Sequence, residues 1–148
     1  MIISVASGKG GTGKTTVATN LARALNEPVT FLDCDVEEPN AHLFLKPDIK
    51  ESKEVFTFLP KIDEEQCDQC GKCRDICRFG AITIVGKTVL LFPELCHSCG
   101  GCLEVCPQKC ISEDKRLLGV IESGISSQID FHHGILRVGE AMSPPLIK

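Results

Sequence analysis

Apolar and polar positions alternate with different periods along the chain. "MIISVAS", residues 1–7, is a short β-branched run that ends in a glycine-rich loop, the pattern of a buried parallel strand. From Lys14 to Asn26, Val17, Leu21, Ala24 and Leu25 recur at helical spacing and share one face. "PVTFLDCD", Pro28–Asp35, returns to a strand pattern. Strand, helix and strand in this order predict a β–α–β unit and a parallel sheet. Residues 36–61 are mixed and charged, with little periodicity.

A repeat follows. "CDQCGKCRDICRFGAI" (67–82) and "CHSCGGCLEVCPQKCI" (96–111) align without gaps at an offset of 29. Six of the 16 positions are identical, and five of those are Cys or Gly. Between the halves, "TIVGKTVLLF" predicts a hairpin, so residues 62–117 read as an autonomous small domain. "GILRVGEAMSPPLIK" then reads as a strand, a turn and a helix start marked by the proline pair. The α/β pattern resumes there, so the cysteine domain is expected to be inserted into an α/β domain: 1–61 first part, 62–117 insertion, 118–148 continuation.

Composition sharpens this picture. The chain has 148 residues, 10 Cys, no Trp and no Tyr. Sixteen basic and 20 acidic residues leave a formal charge of −4, which gives no reason to expect nucleic-acid binding. The N-terminus lacks a charged leader with a long apolar core, and no run reaches the roughly 18 apolar residues of a membrane span. A cytoplasmic protein with metal-binding cysteines is the expectation.

"GKGGTGKT", Gly8–Thr15, matches the phosphate-loop pattern G-x-x-x-x-G-K-[ST] between a predicted strand and a predicted helix. Gly8, Gly10, Gly11, Thr12 and Gly13 leave backbone N–H groups free to converge on phosphate oxygens. The helix start through Thr16 adds a favourable partial charge. Lys14 is expected to reach the β and γ phosphates, and Thr15 to ligate Mg²⁺.

Cys67, Cys70, Cys73 and Cys77, and Cys96, Cys99, Cys102 and Cys106 before Pro107, have the bacterial two-cluster ferredoxin spacing. Three cysteines in a tight loop converge on three corners of one cube, and the fourth points toward the other cluster. Cluster I therefore takes Cys67, Cys70, Cys73 and Cys106; cluster II takes Cys96, Cys99, Cys102 and Cys77. Zinc is the chemical rival, since Cys₄ sites also use C-x2-C pairs, but zinc does not call for the x2 and x3 spacings that follow. Arg78 replaces the expected proline. It restores an N–H and adds a cation that would raise the potential of cluster II, unless water screens it. Cys110 aligns with Ala81 and reads as a packing residue, as does Cys34; His97 reads as a polar loop residue. His42, His132 and His133 form no ligand spacing.

The loop "KGGTGKT" resembles the deviant Walker motif of the MinD/ParA/nitrogenase iron protein superfamily. With the cysteine insertion, the chain resembles P-loop ATPases of that superfamily carrying an inserted two-cluster ferredoxin domain. The resemblance implies that Lys9 reaches across a homodimer interface to the partner's nucleotide. It also implies that "DCDVEEPN" is a switch segment in which Asp35 helps position the attacking water. Asp33 reads as a carboxylate that holds the ligands of Mg²⁺ without touching the ion, or as a strand-end acid. The superfamily's second acidic switch is not found, and only 92 residues lie outside 62–117. An incomplete parallel-sheet domain, the N-terminal part of a longer ATPase, is the expectation. The cofactors implied are ATP, Mg²⁺ and two [4Fe-4S] clusters, with ATP-gated electron transfer to an unidentified redox partner as the leading function. A positioning ATPase, a cluster carrier and a plain electron carrier remain the alternatives.

Overall fold

A computed structural model describes residues 1–140 and 142–147, so Ala141 and Lys148 of the last predicted segment lie outside the described residues. The chain forms two compact units. The first comprises Met1–Glu54, Gly119–Leu136 and the residues from Leu146; the second comprises Val55–Leu118 and Arg137–Pro145. The chain leaves the first unit after Glu54 and again after Leu136, and returns to it at Gly119 and at Leu146.

The first unit contains helix α1 (Lys14–Ala24), strand β1 (Val29–Asp33) and helix α2 (Ala41–Leu45). It also contains the start of β2 (Asp48–Ile62), the end of β5 (Ile111–Ser126) and all of β6 (Ile129–Leu136). Strand order is β1-β6-β5-β2. β1 runs parallel to β6, with Phe31 opposite Phe131, whereas β5 and β6 are antiparallel. The sheet is therefore mixed, which corrects the expected parallel sheet. Only Ser127 and Gln128 separate β5 from β6, and a two-residue connection permits only an antiparallel pair. Ser127 takes the left-handed conformation that such a turn needs.

Residues 1–7 form no strand and are exposed, a second correction. Their composition suits a strand, but a strand exists only where another offers it a ladder, and the parallel partner of β1 is β6. The helix is found where its period predicts it, yet it buries a different stripe. Thr19 and Ala22 are buried, whereas Val17 and Leu21 are exposed. Thr19 is tolerated inside because its hydroxyl donates to the Thr15 carbonyl at 2.7 Å.

The core of this unit is Ala22, Ala41, Leu45, Ile129 and Phe131, with Val29 and Phe31 packed on it. Phe131 is fully buried and stacks on Phe31 at 6.0 Å between ring centroids. Gly124 on β5 sits against the β2 backbone, where an added Cβ would lie 2.5 Å from the Asp48 carbonyl oxygen. Gly124→Ala must push two strands apart, so we expect a loss of about 1–3 kcal/mol, read as a lower urea midpoint. An unchanged midpoint would show that the strands do not hold this approach.

The second unit carries α3 (Lys72–Ile76), the hairpin β3 (Ile82–Val85) and β4 (Thr88–Leu91), a 3₁₀ turn at Pro93–Leu95, and α4 (Gly101–Glu104). The 29-residue offset of the sequence is reproduced in the backbone. Left-handed conformations recur at Gln69 and Ser98, at Gly71 and Gly100, and at Gly80 and Lys109. The Cys77 amide donates to Arg74 and the Cys106 amide to Leu103; the Gly80 amide donates to Cys77 and the Lys109 amide to Cys106. The Phe92 amide donates to Ala81 and the Asp63 amide to Cys110, both at 2.8 Å. Ala81 and Cys110, equivalent in the repeat, are both buried. Ile82, Val89, Cys102, Cys110 and Ile111 form the core here.

The final short helix α5 (Pro144–Ile147) begins with the proline pair. Among the described residues, no helix is long and apolar enough to cross a membrane.

Candidate nucleotide loop and cysteine cavities

The glycine-rich loop runs straight into α1. Gly13 is the residue before the helix and Gly11 lies two before it, at φ 84° and 69°, conformations that side chains resist. A Cβ at either would meet nothing within 4 Å, so the backbone stands open. The first internal bond of the helix is Val17 N–H to the Gly13 carbonyl at 2.9 Å, and no side chain caps the helix start. The amides of Lys14, Thr15 and Thr16 therefore face outward without an intrahelical acceptor. Ser7 and Thr12 brace the loop from within. The Ser7 hydroxyl donates to the Lys9 carbonyl at 2.8 Å, and the Thr12 hydroxyl donates to Ser7 at 2.8 Å. Lys9 is exposed; Lys14 and Thr15 are half-buried. Outward amides, a helix start and two lysines form a cradle suited to an anion.

The acidic segment after β1 divides its roles. Asp33 accepts the Asp35 amide and the Ala41 amide, both at 3.1 Å, and so ties the end of β1 to the start of α2. It serves as a strand-end acid in this structure. Asp35 is exposed on the same loop. Cys34 is exposed as well, which corrects its reading as a packing residue.

In the second unit the cysteines gather around two cavities. One is lined by Cys96, Cys99 and Cys102 together with Cys77 from the other half of the repeat. Phe58, Pro60, Ile76 and Phe79 complete its apolar walls, and the empty space, including its open side, is about 390 Å³. The other, about 320 Å³, is lined by Cys67, Cys70 and Cys73 together with Cys106, and by Ile62, Ile84, Val89 and Cys110. All ten cysteines are unpaired thiols. Among the described residues, no three His, Cys, Asp or Glu side chains converge on a point as ligands of a single ion would. The donors stand around a space.

Burial governs thiol chemistry here. It pushes Cys102 up to about 11 and also raises Cys73. A thiol in such a place ionises when a positive charge enters among the sulfurs. Burial, and then the neighbouring Cys106 sulfur 3.5 Å away, push Cys110 up to about 12. Asp68 joins the halves: it accepts from Gln108 Nε2 at 3.0 Å and from the Cys70 amide at 3.1 Å. These bonds hold its carboxyl below the usual range, Gln108 most of all.

Two features of this unit escaped the motif pattern. His97, read as a polar loop residue, stacks on Phe79 with ring centroids 3.6 Å apart, and both line the first cavity. Arg116 is buried and donates to the Cys96 carbonyl at 3.2 Å. No motif signals it, because it lies in a charged stretch that reads as surface. Arg78, which the pattern did single out, is exposed, so water screens its charge.

The chain is similar to several characterised and uncharacterised proteins. It is 41% identical over 86 residues to the uncharacterized protein MJ0578 of Methanocaldococcus jannaschii, covering 55% of this chain and 30% of that protein. It is 50% identical over 46 residues to the uncharacterized ATP-binding protein MJ0547 of the same organism, covering 29% of this chain and 17% of that protein. An iron-sulfur cluster carrier protein of Synechocystis is 51% identical over 47 residues, covering 30% of this chain and 13% of the carrier. The matches thus span a third or less of these relatives' own lengths. Residues 3–142 match the model of the CobQ/CobB/MinD/ParA nucleotide-binding domain. With a glycine cradle opening onto α1 and a match across nearly its whole length, the chain belongs to the CobQ/CobB/MinD/ParA nucleotide-binding family.

Proposed function

We propose that this chain is the nucleotide- and cluster-binding part of an ATP-dependent iron–sulfur protein in which nucleotide occupancy governs electron transfer to a partner protein. The observation that carries the reading is the pair of cavities, each lined by three cysteines of one half-repeat and the last cysteine of the other. Bound there, two [4Fe-4S] clusters would supply one-electron transfer. Cys67, Cys70, Cys73 and Cys106 hold one; Cys96, Cys99, Cys102 and Cys77 hold the other. The residues 62–117 then act as a ferredoxin-like insertion in the nucleotide-binding domain. Apolar side chains line much of each cavity, and the thiolates offset the charge of the iron.

The loop Gly8–Thr16 binds the triphosphate of ATP, with Lys14 on its terminal phosphates and the Thr15 hydroxyl toward Mg²⁺. Lys9 projects from the exposed side of this loop, where it serves a second copy's nucleotide in a homodimer. Asp35 orients water for hydrolysis in the full-length protein. Similarity to the Synechocystis cluster carrier favours a second reading, cluster delivery. Eight thiols in two walled cavities support retention over release.

The decisive measurement follows the reduced clusters of anaerobically prepared protein by EPR, with and without ATP and Mg²⁺. Iron and acid-labile sulfide are expected, together with a nucleotide-dependent change in g-values or midpoint potential. Zinc without sulfide would end the cluster assignment. Clusters indifferent to bound nucleotide would end the gating.

A further inference from the structure

The second unit contains an ion triad that no motif marks. The Arg116 side chain is 8% exposed and that of Glu140 1% exposed, and Arg116 Nη2 lies 3.0 Å from Glu140 Oε2. The same nitrogen donates to the Cys96 carbonyl at 3.2 Å. Arg137, half exposed, donates to the other Glu140 oxygen through Nη2 at 2.6 Å and Nε at 3.2 Å. Among the described residues, Nε and Nη1 of Arg116 are buried without a hydrogen-bond partner.

Such an arrangement is costly. Desolvating a guanidinium and a carboxylate together typically offsets their attraction, and apolar residues of similar volume would serve packing as well or better. Arg116 touches the backbone of Cys96, the first cysteine of the second motif, which lines the cavity it shares with Cys77. The other cavity is lined by one cation, Lys72, and one carboxylate, Asp68, but both are exposed, so water screens them. One cavity therefore lies beside a buried guanidinium that water does not reach and that the buried Glu140 carboxylate partly offsets. Its counter-charge, Glu140, is itself shared with a second arginine, so the three groups together carry one net positive charge.

Resting on the cluster reading above, we propose that Arg116 is a positioning residue for the cavity of Cys77, Cys96, Cys99 and Cys102, holding the Cys96 loop and making its cluster the easier of the two to reduce, with Glu140 setting how far. A reduced cluster is more negative, so an adjacent unscreened cation favours it. The triad thereby gives two clusters of the same ligand type different potentials, and electrons a preferred resting place. It does for the buried side of the Cys96 loop what the exposed Arg78 cannot do from solvent.

The test is a redox titration of both clusters by EPR in the anaerobic holoprotein. Arg116→Gln is expected to disfavour reduction of the cluster in the Cys77–Cys96 cavity at least tenfold, about 59 mV for one electron, and to leave the other cluster in place. Arg116→Lys is expected to retain most of the potential, because it keeps the charge. Glu140→Gln is expected to move the same cluster in the opposite direction, since Arg116 then loses its counter-charge. Opposite signs identify electrostatics, because loosening of the loop would move both variants the same way. Shifts of one sign in both, or no shift, would overturn the proposal. If either buried substitution prevents cluster incorporation, Arg137→Gln at the half-exposed position decides the matter: a smaller downward shift confined to this cluster is expected, and its absence overturns the inference. Absence of iron and sulfide from the wild-type protein would instead count against the cluster reading itself.

Discussion

Cys77→Ser is expected to empty the cavity of Cys96, Cys99 and Cys102 and to leave the cavity of Cys67, Cys70 and Cys73 filled. The substitution lies in the first cysteine motif, yet its effect falls on the cluster of the second. Iron should drop from about eight to about four atoms per chain, since each cubane needs its own four thiolates. The reason is geometric. Cys77 ends α3 with an extended backbone, its amide bonded to Arg74, and its side chain lines the second motif's cavity. The reciprocal experiment is Cys106→Ser. It belongs in a Cys110→Ala background, because the Cys110 sulfur lies 3.5 Å from Cys106 in the same cavity and is a ready replacement ligand. EPR of the reduced variants should then show one cluster each, of different identity. If Cys77→Ser removed the signal assigned to the first motif, the exchange of fourth ligands between the halves would be wrong.

Lys14→Ala is expected to weaken ATP binding about 10- to 150-fold in calorimetric titration. A hydrogen bond to a charged group contributes about 1.5–3 kcal/mol, and each 1.4 kcal/mol is a factor of ten. The side chain sits at the first position of α1, above amides that no side chain caps. Alanine is the best helix former, so the helix itself is not weakened. Iron content should be unchanged, which separates a damaged phosphate site from a damaged fold. An affinity for ATP equal to that of the unaltered chain would show that this loop does not hold the phosphates.

These two expectations draw on different depths of information. The phosphate loop is legible because its requirements are local. Open backbone, a lysine and a helix start within eight residues need no distant partner. The cysteine cavities are legible for a related reason: the 29-residue repeat specifies two equal loops, and left-handed residues at matching positions give them the same shape. The β3–β4 hairpin could likewise be read from alternation around Gly86 and Lys87. Cys34 shows the limit of such reading, since a small apolar residue after a strand is equally at home inside or, as here, outside.

Other features needed contacts that periodicity does not carry. β2 does not show in the periodicity because its first seven residues, Asp48–Glu54, are all exposed and five of them charged, without the alternation of a half-buried strand. "MIISVAS" had the composition of a strand but no ladder to join. His42 and His133, without ligand spacing in sequence, meet edge to face at 5.4 Å, and His133 Nε2 lies 3.0 Å from Glu122.

By itself the amino-acid order determined what is close in sequence: the anion cradle before α1, the two thiol loops and the hairpin between them. Tertiary structure decided that β1 pairs with β6 in a mixed sheet, that α1 turns Thr19 and Ala22 inward, and that Arg116 meets Glu140 beneath Cys96. The physical reason is range. Torsional preference and hydrogen bonding act over a few residues, whereas the partner of a strand or of a buried charge is chosen by whichever distant surface excludes water with it.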